Sequence, residues 1–214
     1  MKRNSIILSF ILIFMLLFTS LAYADSDLDT YGENLPEYKV LEDTDEYTVA
    51  YRDLSPEQTI QRISEIDNIN LEKAEAVYQA DFANDPEIYR GSYIDREYIV
   101  TKKVASVLGI SYKVELGALC EMSVGQGSNF HKIKKTWSVA ESGYHTWDEI
   151  YNNSSLSDSL TLNLVARGTC TVAVDSSATA AYERAGFSLS YSTGGTYYYR
   201  KNATLEHVIK LSHQ

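Results

Sequence analysis

The chain has 214 residues, 44% hydrophobic and 22% charged, with 19 Lys and Arg against 29 Asp and Glu and a formal net charge of −10. That acid excess excludes general nucleic-acid binding, which rests on basic side chains neutralising phosphates, and it excludes polybasic docking on anionic lipid. The length allows one domain with a sizeable core, and 2 Cys and 4 His leave little material for a clustered metal site.

Residues 1–24 read as an export signal. Lys2 and Arg3 make a basic start, Ile6 to Phe18 is apolar apart from Ser9, and Ala22-Tyr23-Ala24 is a small-x-small cleavage site. The apolar run is shorter than the roughly 20 residues a membrane helix needs, and no later stretch is apolar for long enough to span. The expectation is a secreted bacterial protein beginning near Asp25. Losing Lys2 and Arg3 leaves 17 bases against 29 acids, and those charges are unevenly spread: residues 25–100 carry 20 acids and 6 bases, residues 101–214 carry 9 and 11. The asymmetry suits either a solvated N-terminal face or an acidic segment that leans on Lys132, Lys134 and Lys135.

Residues 25–54 read as an acidic leader with two short strands, Tyr38 to Leu41 and Tyr47 to Tyr51, on either side of Glu42-Asp43-Thr44-Asp45-Glu46. Asp25, Asp27 and Asp29 have the spacing of the first ligands of a calcium loop. The loop's glycine, however, falls at 32 instead of 30, and Pro36 stands where the bidentate Glu belongs, so an EF-hand is excluded.

Residues 55–91 read as a helical hairpin. Ser55 caps, Pro56 suits the first helical position, and Gln58 completes a capping box, after which Ile60, Ile63 and Ile66 form an apolar stripe. A second helix carries Leu71, Ala74, Val77 and Tyr78 at three-to-four spacing and stops before Pro86. Ile60, Ile63 and Leu71 decide whether the pair covers a sheet or serves as a separate contact module.

From residue 92 to 214 the apolar period becomes two, and the pattern predicts an antiparallel β-sandwich with long curved strands. Tyr112, Val114, Leu116, Ala118, Cys120 and Met122 share one face of a first long strand; Leu162, Leu164, Ala166, Cys170, Val172 and Val174 share one face of a second. Strands of this length imply bends, with Gly117 and Gly168 as the bend points. Shorter strands are expected at 134–140, 187–191, 196–200 and 205–211, the third entered through a Gly194-Gly195 turn. Both cysteines lie on apolar faces, and an exported chain meets an oxidising environment, so a Cys120–Cys170 disulfide is predicted, with a loop-closure benefit of roughly 4 kcal/mol.

Phosphate-loop, zincin and nucleophile-elbow motifs are absent, and Gly125-Gln126-Gly127 reads as a turn. Glu115 and Glu121, on the polar face of one strand, stand about 20 Å apart, too far to cooperate as acid and base. The histidines make no ligand pattern. Neither an enzymatic activity, a cofactor nor a metal is expected. The segment Trp137 to Tyr151 concentrates Trp137, Tyr144, Trp147 and Tyr151 with His145, and Thr146 and Glu149 resemble a capping box for a single helical turn. Such aromatics either plug the end of a sandwich or stack on a sugar ring and grip a protein partner.

Residues 160–191 alternate Ser, Thr and small apolar side chains in two segments flanking Asp175 to Glu183. The pattern resembles the insertion hairpins of β-barrel pore-forming toxins, and that resemblance implies membrane permeabilisation through this hairpin. The leading expectation is different: an exported, non-enzymatic recognition protein acting at or outside the cell surface on an extracellular protein or glycan. Nucleic acid is not an expected partner, and membrane contact belongs to the alternative alone.

Overall fold

The structure, a computed structural model, describes residues 36–83, 93–123, 128–175 and 179–211. The export signal, the start of the leader, the Gly125–Gly127 turn and His213 lie outside the described residues. Along the chain the elements are β1 (Lys39–Asp43), β2 (Tyr47–Leu54), α1 (Pro56–Asp67), α2 (Leu71–Ala83), β3 (Tyr93–Val107), β4 (Ile110–Ser123) and β5 (Asn129–Ala140), followed by β6 (Thr146–Asn152), β7 (Ser155–Asp158), β8 (Thr161–Asp175), α3 (Thr179–Arg184), β9 (Ser188–Thr193) and β10 (Thr196–Lys210). The protein is mainly β, with two antiparallel sheets, one of them curled. The first has the order β1-β2-β3-β4-β5; the second has the order β6-β8-β10-β9, with β7 also paired to β8.

Strand alternation explains the interior. Val49, Tyr98, Val114 and Leu116 from the first sheet share one apolar cluster with Leu162, Leu164, Ala166 and Leu205 from the second. The opposite face of the first sheet is not given to water. Leu54, Ile99, Leu119 and Trp137 on that face pack with Ile60 and Ile63 of α1 and with Ala74 and Tyr78 of α2. A third cluster closes one end, where Tyr112, Phe187 and Tyr199 surround Tyr182 of α3.

Helix α1 begins as its sequence dictates: the Gln58 amide donates to Ser55 Oγ at 3.3 Å and the Ser55 amide donates to Gln58 Oε1 at 2.9 Å. It ends at Asn68, whose φ of 50° places it in the left-handed region that asparagine tolerates at a helix C-terminus. The two helices are not an N-terminal module placed ahead of the β region. They are inserted between β2 and β3, which pair with each other from Tyr47↔Lys102 to Leu54↔Asp95. A local apolar period identifies helices but carries no record of which strands close around them, and the leader's strands are members of the same sheet as β3.

Three further expectations are corrected. Cys120 and Cys170 are free thiols, both buried, Cys120 in the cluster shared by the two sheets and Cys170 in the cluster at one end. A shared facing on two strands does not make two cysteines neighbours. The segments flanking 175–183 do not form a hairpin, because β10 lies between β8 and β9 and pairs with β8 over its whole length. Residues 146–149 belong to strand β6 and not to a helical turn, their register running along β8 from Thr146↔Thr171.

The register irregularities of β4 on β5 fall at Leu119/Cys120 and Glu121/Met122, away from Gly117, whereas that of β6 on β8 falls beside Gly168. Each glycine lies beneath a tryptophan. A Cβ at Gly117 would stand 2.0 Å from the Trp137 indole, and one at Gly168 would stand 2.5 Å from the Trp147 indole. Both indoles therefore lie flat across neighbouring strands, a packing available only where the strand beneath has no side chain.

Gly117→Ala should cost about 1–3 kcal/mol through overpacking, measured by urea unfolding. In a Trp137→Ala background, itself costing about 3–5 kcal/mol, the same glycine change should be close to neutral. Equal costs in both backgrounds would remove the indole as the cause. Burial raises the Cys120 thiol to about 12 and the Cys170 thiol to about 11. An aromatic disulfide reagent at pH 8 should therefore label neither thiol in the folded protein and both after denaturation without reductant; no label after denaturation would restore the disulfide.

Candidate functional site

One end of the helix-covered face opens into a cleft of about 440 Å³. Its apolar wall includes Leu54, Pro56 and Ile94; its polar wall includes Asp95, Glu121 and Lys134; Tyr78 and Tyr93 add aromatic surface, and Glu57 and Gln79 also line it. The register of the sheet explains the polar wall. Asp95 on β3 and Glu121 on β4 are directly opposed cross-strand partners on the face beneath the helices.

Two β-bulges bring the bases. Between β4 and β5 the register runs Leu119↔Lys135, Cys120↔Ile133, Glu121↔Lys132 and Met122↔Phe130, so Lys134 and His131 are the extra residues. A bulge leaves its extra residue out of the ladder and redirects its side chain. Lys134 Nζ lies 2.6 Å from Asp95 Oδ1 and 3.2 Å from Glu121 Oε2. All three side chains are buried, the Lys134 chain 4% and the Glu121 chain 3% exposed. At the outer edge Lys132 pairs with Asp81 at 3.2 Å and approaches Glu121 Oε2 at 3.9 Å.

The Tyr78 hydroxyl hydrogen-bonds Asp95; burial, with Asp95 and Glu121 nearby, holds the phenol well above its ordinary range. Lys134 Nζ also stands 4.8 Å from the centroid of the Tyr78 ring. The contact of Asp95 Oδ1 with Lys134 is oblique, an ion pair without hydrogen-bond geometry. Glu121 Oε1 is buried and, among the described residues, has no hydrogen-bond donor; His131 Nε2, the ion-pair partner on that oxygen, is 3.7 Å away, beyond hydrogen-bond reach. A buried carboxylate oxygen without a donor carries an uncompensated desolvation cost, which a donor reaching it from the cleft would offset.

The acidic first half thus leans on the three lysines. Lys132 and Lys134 reach Asp81 and Asp95, and Lys135 Nζ stands 2.5 Å from Asp67 Oδ2 at the end of α1. The cleft itself escaped the search along the sequence because its carboxylate pair spans two strands. The sequence carries no local signal for it, since Glu121 lies on the parity of β4 that also holds Ser111, Lys113 and Glu115 and reads as a solvent face.

The aromatic segment is divided by the fold. Trp137 is 9% exposed, with its Nε1 donating to Glu115 Oε1 at 3.3 Å and the Arg62 guanidinium 5.4 Å from its ring. Trp147 Nε1 donates to Ser138 Oγ at 2.7 Å, and its ring packs against the interior clusters. Trp137 is thus buried in the cluster beneath the helices, and Trp147 is partly buried against the two other clusters. Tyr144 is 75% and Tyr151 43% exposed, and they remain available at the surface. The leader acids at 42–46 are engaged locally: Glu42 accepts from the Tyr47 hydroxyl, Asp43 from the Thr48 hydroxyl, and Glu46 pairs with Lys103. Among the described residues no group of three or more His, Cys, Asp and Glu is placed to hold a metal ion.

Compared with known protein families, curated proteins and solved structures, the chain matches none.

His145 is buried, and its Nε2 lies 2.8 Å from the Lys113 carbonyl. A carbonyl only accepts, so Nε2 carries the proton and the buried Nδ1 has no hydrogen-bond partner among the described residues. Burial lowers the His145 pKa below its ordinary 6.5. On acidification the unfolded chain therefore binds a proton that the folded protein resists, and stability falls as the pH drops below about 6.5. His145→Gln keeps a donor for Lys113 and should flatten the decline between pH 7 and 5 in urea titrations; parallel pH profiles for the two proteins would exclude this role.

Proposed function

We propose that the protein is an exported, non-enzymatic recognition protein built on a β-sandwich scaffold, and that it binds its ligand in the cleft between the helices and the first sheet. The ligand is a small molecule, or a side chain presented by an extracellular protein or glycan. Export is supported by the basic, apolar and small-residue pattern of residues 1–24. A cleft of about 440 Å³ is large enough for a drug-sized molecule, and it combines apolar walls with a few convergent polar groups, the usual make-up of a ligand site.

The observation that carries the reading is Glu121, which lines an open cleft and whose Oε1 is buried with no hydrogen-bond donor among the described residues. Binding is favoured over catalysis by the arrangement around it. Lys134 sits between Asp95 and Glu121 and pairs with both, so they do not stand as a separate acid and base flanking a reacting bond.

A mixed set of cationic, neutral sugar-like and anionic fragments, screened by amide shift changes, tests the site. Binders should perturb the amides of Tyr78, Asp95 and Glu121. Gln79→Trp, an exposed position on the cleft wall, should abolish those shifts without lowering the melting temperature. Fragments that bind only elsewhere, or no shift in the cleft at all, would overturn the assignment.

A further inference from the structure

We infer that the cleft selects an organic cation, a primary ammonium or guanidinium carried on an apolar stem, with the charged end on Glu121 Oε1. This inference rests on the cleft being the binding site and adds the chemical class of the ligand.

Four observations point to a cation. Glu121 divides its two oxygens: Oε2 faces Lys134 at 3.2 Å, whereas Oε1 is buried with His131 at 3.7 Å and no hydrogen-bond donor. The molecule also contains its own example of the chemistry, since the Lys134 ammonium is held by two carboxylates and lies 4.8 Å from the centre of an aromatic ring. A second ammonium on Oε1 would extend the same alternation of charge. Third, the lining holds three acids, Glu57, Asp95 and Glu121, against one base, Lys134. Glu57 is on the cleft wall, Asp81 stands beside Lys132, and the half of the sequence that supplies both is rich in acids. Such a field draws in cations and repels phosphates and carboxylates. Fourth, Leu54, Pro56 and Ile94 offer apolar surface beside the charged end, which suits an alkyl or aryl stem.

A neutral hydroxyl fits less well. It could donate to Oε1, but it brings no charge against the one negative charge that the single Lys134 leaves over between Asp95 and Glu121.

The test uses the purified protein with benzylamine, agmatine and benzyl alcohol, the last being the neutral counterpart of the first. Affinities come from calorimetry and the location from amide shifts at Tyr78, Asp95 and Glu121. Both cations should bind in the cleft, with benzylamine tighter than benzyl alcohol by about tenfold or more, the scale of a charge-assisted hydrogen bond. Glu121→Gln should remove that preference, bringing benzylamine to the affinity of benzyl alcohol. Should Glu121→Gln fail to fold, Glu57→Gln, at an exposed position, should lower benzylamine affinity by about threefold or less with no effect on the alcohol. Benzyl alcohol binding in the cleft as tightly as benzylamine would overturn the cation and keep the cleft as a site. Cleft shifts from neutral or anionic fragments with none from either amine would do the same. Silence of all these probes and of the mixed fragments in the cleft would overturn both readings.

Discussion

A carboxylate with no exposed surface holds the helices to the first sheet. Glu97 receives Arg52 of β2 at 2.5 Å, Arg62 of α1 at 2.7 Å and 2.9 Å, and the Tyr38 hydroxyl at 2.8 Å. A buried carboxylate on its own costs several kcal/mol, so the face beneath the helices can carry Glu97 only if those partners are in place. Each partner comes from a different part of the chain. Arg62 sets where α1 lies, Arg52 ties in β2, and Tyr38, with the Arg52 guanidinium 4.3 Å from its ring, anchors the segment before β1. Burial and the Glu97 charge hold the Tyr38 phenol well above its ordinary range, so it stays a donor.

The same face behaves differently two residues earlier on β3. Above Glu97 stands an arginine from α1, and every carboxylate oxygen is engaged. Above Asp95 stands Tyr78 of α2, a single hydroxyl, and the opposing strand contributes Glu121, a second acid. Charge balance there depends on Lys134, which reaches both acids because a bulge takes it out of the ladder. One half of the covered face is thus a closed ion network that serves the fold. The other half has a buried oxygen left over and opens to the outside, which separates a structural ion pair from a binding site on physical grounds.

Much of the local structure was legible. The Ser55-Pro56-Gln58 start of α1, the alternation of β4 and β8 and the Gly194-Gly195 turn follow from backbone hydrogen bonding and side-chain period. The lean of the acidic half on Lys132, Lys134 and Lys135 was one of two readings that charge placement allowed, and Asp81, Asp95 and Asp67 are the acids it meets. The aromatic segment was ambiguous for a definite reason: whether an indole packs or recognises depends on what lies beside it. Glycines at 117 and 168, on strands that could not be matched to Trp137 and Trp147 by spacing, give each indole a strand to lie against.

The sequence by itself determined the types of the long elements, the faces of β4 and β8 that turn inward and the excess of acid, because these depend on periodicity and composition over a few neighbouring residues. Tertiary structure alone decided that the helices lie between β2 and β3, that Cys120 and Cys170 occupy separate clusters, and that Asp95 meets Glu121. Those facts depend on strand register. Register brings together residues remote in sequence, and a bulge of one residue is enough to choose which lysine points at which carboxylate.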